Sequence, residues 1–157
     1  MFFLNNILGG PGMNSLLNNA LREKRGLVYT VESTVNAYSD SGLFSIYFGC
    51  DHKDVKRCLT LVDKELKKLR EMPLSEARLR AAKKQIQGQL AIASENKESQ
   101  ALSMGKSLLY FDHFESVENA LAKIEALTAK QLQEVAKEVF NPETMSLLVY
   151  GENNENI

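Results

Sequence analysis

Hydrophobic positions along the chain change period several times, and each change marks an element. Phe3, Leu4, Ile7 and Leu8 recur at helical spacing, and Gly9-Gly10-Pro11-Gly12 breaks that short helix. A second helix is predicted to start at Asn14 or Ser15, either of which can cap it. Met13, Leu16, Leu17, Ala20 and Leu21 form its apolar face. Gly26 is the residue expected just past a helix C-terminus, where Lys24 and Arg25 also suit the dipole. From Val28 the period drops to two. Strands are predicted over about 27–38 and 42–50, joined by the turn residues Ser39-Asp40-Ser41-Gly42. In the first strand Tyr29, Val31, Val35 and Ala37 share a face, with Thr30, Glu32, Thr34 and Asn36 opposite. In the second, Phe44, Ile46, Phe48 and Cys50 alternate with Leu43, Ser45 and Tyr47. The pair reads as an antiparallel hairpin with one buried face.

The helical period then returns. Val55, Leu59, Val62, Leu66 and Leu69 mark a helix that Met72-Pro73 ends. Ser75 opens the next, with Leu74 and Leu79 as a hydrophobic staple, and it runs through Ala82, Ile86, Leu90 and Ala93. A further helical stretch over about 95–111 continues it, bent near 94–96. A shorter helix follows Ser116. Another opens at Thr128, where Thr128 and Gln131 match a capping box, and Asn141-Pro142 terminates it. Residues 145–150 are predicted to be an apolar final strand. No linker, repeat or low-complexity run intervenes, so 1–157 is expected to be a single α+β domain with helices packed on one face of a mainly antiparallel sheet.

Composition narrows the function classes. A chain of 157 residues, 44% hydrophobic, suffices for one ordinary core. Its 19 Lys and Arg against 20 Asp and Glu give a net charge of −1, so no global field recruits nucleic acid or an acidic membrane. The basic faces that carry Lys64, Lys67, Lys68, Arg78, Arg80, Lys83 and Lys84 are interspersed with acidic residues and lack interleaved aromatics, which describes a solvated surface. No run approaches the roughly 20 apolar residues of a membrane span. The N-terminus has no basic n-region, so the expected compartment is the cytoplasm.

Candidate chemistry is sparse. Cys50 and Cys58 form no CxxC and read as apolar fillers. His52 and His113 lie in loop-like surroundings and form no metal-binding pair, and no serine sits in a Gly-x-Ser-x-Gly elbow. Asp51 and Asp54 fit helix N-terminal charge better than a catalytic dyad. Gly9, Gly10 and Gly12 lack the Gly-Lys-Ser/Thr that would make them a phosphate loop. One pairing remains. Arg22, at the end of a helix, and Tyr29, at the start of a strand, flank one tight corner. A guanidinium and a phenol converging there can bind a carbonyl or an oxyanion. The same spacing also fits an exposed helix Arg and a strand Tyr that packs. From its residues alone the chain has no self-sufficient catalytic centre.

Longer strings carry a resemblance. Leu4-Asn5-x-Ile7-Leu8-Gly9-Gly10, then Leu21-Arg22-Glu23-Lys24-Arg25-Gly26-Leu27-Val28-Tyr29, then Asp40-Ser41-Gly42 before a strand, are similar to the pitrilysin-type zinc metallopeptidases. These inverzincins include insulin-degrading enzymes and mitochondrial processing peptidases. The resemblance is to their C-terminal, non-zinc half and extends to Leu147-Leu148-Val149-Tyr150-Gly151. It implies two homologous halves facing across a chamber, one carrying an inverted His-x-x-Glu-His zinc motif. The other half supplies an Arg and a Tyr, seven residues apart, for peptide binding and transition-state support. Arg22 and Tyr29 have that spacing, and Gly9, Gly10 and Gly12 fall in the glycine-rich stretch near the substrate, with Pro11 a departure.

If the halves arose by duplication, Met1, Leu4 and Asn5 fall roughly where the other half has His, Glu and His, and none can replace them. No cofactor is therefore expected in this chain, and zinc is expected in the partner half. The implied partners are a zinc-bearing half or subunit and a peptide substrate. The family's half-domain begins with a strand and a fuller helix before Leu4. Their expected absence leaves a sheet edge that invites a homo-oligomer. The implied function is the substrate-binding half of a metalloendopeptidase, inactive alone. The alternative is a catalytically silent assembly protein of the same fold, like the core subunits of respiratory complexes, with Arg22 and Tyr29 as relics.

Overall fold

A computed structural model describes residues 1–114 and 116–151. Helix α1 (Phe2–Gly9) is followed by a π-helical segment, Asn18–Glu23, and by strands β1 (Val28–Ala37) and β2 (Gly42–Cys50). A 3-10 turn, His52–Asp54, leads into α2 (Val55–Glu71), α3 (Glu76–Glu95), α4 (Lys97–Phe111), α5 (Val117–Ala126) and α6 (Ala129–Val139). The fold is α+β, with β1 and β2 forming a two-stranded antiparallel sheet. The chain groups into two compact units. One comprises residues 1–73 with the segment from Lys130, the other residues 74–129.

In the first unit most of the apolar positions predicted from periodicity are buried, with Val55 and Leu59 of α2 only half-buried. Phe3, Leu4, Ile7 and Leu8 of α1, then Leu16, Leu17, Ala20 and Leu21, join Val62, Leu66 and Leu69 of α2 and Leu132 and Ala136 of α6 in the core. Phe140, just past α6, is buried and stacks obliquely on Phe44 of β2, ring centroids 5.1 Å apart. Two details depart from expectation. Met13 lies outside the core, 67% exposed, because the regular helix begins after it. Ser15 does not act as a side-chain cap: its hydroxyl is buried without a partner.

The helix C-terminus of α1 is fixed to β1 by close approach. Ser33, a polar residue on the buried side of β1, donates from Oγ to the Asn5 carbonyl at 3.3 Å. A Cβ built on Gly9 would lie 2.6 Å from Ser33 Oγ and 2.7 Å from the Ser33 backbone nitrogen. Only glycine lets these two backbones meet.

The hairpin matches its predicted span within a residue. Val31↔Phe48, Ser33↔Ile46 and Val35↔Phe44 pair on the inner face. The predicted strand over 145–150 is not formed. Those residues make no ladder, and Leu147, Leu148 and Tyr150 are exposed. An apolar run favours burial, but a strand also needs a neighbour to receive its hydrogen bonds, and the two-stranded sheet does not extend to this segment.

In the second unit α3 packs on α4 and α5, burying Leu79 and Ile86. Each of the three helix starts is capped by a side chain, at Asn96 where the sequence indicates only a bend. Ser75 Oγ accepts from Arg78 N–H, Asn96 Oδ1 from Ser99 N–H and Ser116 Oγ from Asn119 N–H. Asn96 both ends α3 and caps α4, so the predicted bend is a break between two helices. Lys83 Nζ and Gln87 Nε2 hold the C-terminal turn of α5 through the Glu125 carbonyl and carboxylate.

Gly9→Ala forces α1 away from β1 and is expected to cost about 1–3 kcal/mol, read as a lower urea midpoint. Adding Ser33→Ala does not restore it, because the Ser33 backbone nitrogen remains in the way. Gly26, at φ +59°, faces open space, so Gly26→Ala meets only backbone strain. A loss of about 1–2 kcal/mol is expected, with Gly26→Asn closer to the parent in the same assay.

Candidate functional site: the helix-to-strand corner

The corner between Leu21 and Tyr29 is irregular on both sides of its glycine. Before it, the helix widens to π-type bonding, with Lys24 N–H donating to the Asn19 carbonyl at 3.2 Å. Gly26 N–H closes onto the Arg22 carbonyl at 2.7 Å and Leu27 N–H reaches the Leu21 carbonyl at 2.9 Å. That closure needs a left-handed residue at its turn, which Gly26 supplies. Arg25 folds back and donates to the Ala20 carbonyl at 2.6 Å, giving a partner to a backbone acceptor within the widened segment. Arg22 sits within this segment with its side chain in solvent. Single π turns recur at functional sites because the extra residue re-aims the side chains around it.

After the glycine, β1 begins with a bulge. Val28 pairs with Cys50, yet Thr30 pairs with the adjacent Gly49, so Tyr29 is the extra residue of the ladder. Simple alternation would have placed Tyr29 beside Val31 and Val35 on the inner face. The bulge gives the buried place to Val28 and turns Tyr29 outward, 72% exposed. The packed-tyrosine possibility is thereby removed: both Arg22 and Tyr29 present their side chains to solvent.

Tyr29 is not free. Its phenol donates a hydrogen bond to Asp51 Oδ1. That contact, with the negative charge of the same carboxylate, raises the Tyr29 pKa above its ordinary value, and Cys50 and Asp54 add smaller effects of the same sign. The shift disfavours the phenolate, so the O–H remains the donor. Spacing alone left Asp51 as helix N-terminal charge. The hairpin register was the signal that could have found it, since a strand pair closed at Ser39-Asp40-Ser41-Gly42 brings the start of β1 alongside the end of β2. Just behind, the thiols of Cys50 and Cys58 contact each other. Burial, chiefly, pushes Cys58 up to about 12 and also raises Cys50, so both remain unreactive thiols.

The glycines divide by role. Gly9 is buried in the α1–β1 contact, and a Cβ on Gly10 would strike the Asn6 carbonyl at 2.6 Å, so both are accounted for by packing of the chain on itself. Gly12 is half-buried, and its carbonyl accepts from Ser15 N–H at 3.0 Å. Zinc does not fit these surroundings. Leu4 is wholly buried apolar core, and among the described residues no three His, Cys, Asp or Glu side chains come together as a metal would require.

Residues 1–86 match the family model described as the peptidase M16 inactive domain. An uncharacterized zinc protease of Streptomyces coelicolor is 36% identical over 139 residues, covering 88% of this chain and 30% of the relative. The uncharacterized zinc protease YmxG of Bacillus subtilis is 26% identical, over 98% of this chain and 37% of its own length. Among solved structures, a conserved protein from Enterococcus faecalis superposes with a TM-score of 0.75 at 27% identity, over 86% of this chain and 31% of that one. The peptidase M16 inactive domain from Pseudomonas fluorescens gives 0.72 at 25% identity, over 87% of this chain and 32% of that one. The chain thus spans about a third of the length of these relatives. By the match over residues 1–86, more than half of its length, the chain belongs to the M16 peptidase family, in the part described as that family's inactive domain.

Proposed function

We propose that this chain is the substrate-binding half of a two-part metalloendopeptidase, with Arg22 and Tyr29 as its contribution to the peptide site. The observation that supports this most directly is the double irregularity of the corner. A π-helical segment carries Arg22 and a β-bulge carries Tyr29, and both side chains reach solvent within seven residues of one glycine-closed turn. A guanidinium donates hydrogen bonds to peptide carbonyls in a fixed planar fork. A protonated phenol supplies a single neutral donor suited to a developing oxyanion. Gly9, Gly10 and Gly12 lie in the segment leading into this corner, and the α1–β1 contact at Gly9 and Ser33 ties that segment to the strand bearing Tyr29. Zinc, with the water it activates, belongs to a separate zinc-bearing half, which is the partner this reading requires.

The chain by itself is expected to cleave no peptide. Chelator-sensitive cleavage by the rigorously purified chain would show that this division of labour is wrong. Mixed with the remainder of the Streptomyces coelicolor relative, expressed without the segment equivalent to this chain, it is expected to restore cleavage that a chelator abolishes. Arg22→Ala and Tyr29→Phe should each lower that cleavage by about 10²–10³-fold, the range for loss of one oxyanion donor. Unchanged rates in both variants would leave the corner without a catalytic duty.

A further inference from the structure

Asp51 occupies a position where a carboxylate ordinarily caps the turn behind it. It is the N-cap of the 3-10 turn His52–Asp54, yet its side chain makes no hydrogen bond to that turn. Oδ1 instead accepts the phenol proton of Tyr29, while Oδ2 faces Lys53 Nζ at 3.8 Å. Little else holds the ring. Tyr29 is mostly exposed and, as the extra residue of the bulge, has no partner across the hairpin. An exposed side chain of this kind exchanges rotamers within nanoseconds, and a ligand that must first order it binds less tightly.

We propose that Asp51 is a positioning residue for Tyr29, anchoring the phenol so that an arriving peptide meets a ring already in place. This rests on the assignment of Arg22 and Tyr29 to the peptide site. While the O–H is given to Asp51, the phenol oxygen offers its lone pairs, and a peptide N–H can donate to it. When a carbonyl oxygen develops charge, the phenol exchanges Asp51 for that oxygen, and the released carboxylate keeps Lys53 as its counter-ion. A carboxylate that served only as turn charge would instead bond the backbone N–H groups behind it, and Asp51 does not.

Two measurements on the whole chain test this. In ¹³C NMR of the tyrosine rings, with Tyr29→Phe identifying the signal, Tyr29 is expected to titrate above its ordinary range. In Asp51→Asn, which keeps an acceptor oxygen but loses the charge, the midpoint should fall toward that range; Asp54, Cys50 and Lys53 are left in place. Fluorescence anisotropy with fluorescein-labelled tryptic peptides of casein gives the binding. Asp51→Ala should bind about three- to tenfold more weakly, and Asp51→Asn should recover most of the loss. An unmoved Tyr29 midpoint in Asp51→Asn would overturn the proposal by removing the contact. A midpoint that moves while Asp51→Ala binds like the parent would overturn the positioning role and leave Arg22 and Tyr29 as the peptide site. If the parent binds none of the peptides, the peptide-site assignment fails and Asp51 has no ligand to position for.

Discussion

The turn at Gly26 is the constraint on which the candidate site depends. A helix that widens to π-type bonding and then closes through Gly26 onto Arg22, and through Leu27 onto Leu21, needs one residue in the left-handed region. Any side chain there would strain the backbone, although nothing crowds the position. With the closure made, the chain enters β1 at Val28, whose buried side chain takes the inner-face place that alternation would have given to Tyr29. The bulge at Tyr29 is the geometric consequence, and the outward phenol follows from it. Two single-residue irregularities thus bracket one glycine, and each presents a polar side chain that regular structure would have aimed elsewhere.

Behind the corner, rigidity comes from unusually close backbone contact. Gly9 allows α1 to meet β1 at Ser33, and the Ser33 hydroxyl satisfies the Asn5 carbonyl at the end of α1. A polar residue in the middle of a buried strand face is costly unless bonded, and here the bond also sets how far α1 slides along the strand. On the same face of the hairpin Phe140 packs on Phe44, so the residue after α6 braces β2. The glycine stretch, the strand carrying Tyr29 and α6 are in this way parts of one packed unit.

The electrostatics at the end of β2 are arranged around protonated donors. Asp51 raises the pKa of the Tyr29 phenol further above its ordinary value, and burial does the same for the thiols of Cys50 and Cys58. A neutral phenol suits donation of a hydrogen bond, and buried thiols of raised pKa add no reactive group beside it. They do not make a nucleophile, which accords with a domain of the M16 family that is described as inactive.

Much of this molecule was determined by its sequence. The helical faces, the hairpin and its turn, the caps at Ser75 and Ser116, and the glycine stop at Gly26 all follow from local periodicity and backbone preference, which act over a few residues. The family could be recognised from the strings around Arg22 and Tyr29 for the same reason. What local rules could not supply was decided by packing. The bulge that turns Tyr29 outward arises because Val28 is buried where alternation would have placed Tyr29. The bond from Tyr29 to Asp51 joins residues 22 positions apart, which only the strand register brings together. The segment at 145–150 has the apolar character of a buried strand but not its ladder, because a strand is a relation between two segments and no pattern in one of them can provide the other.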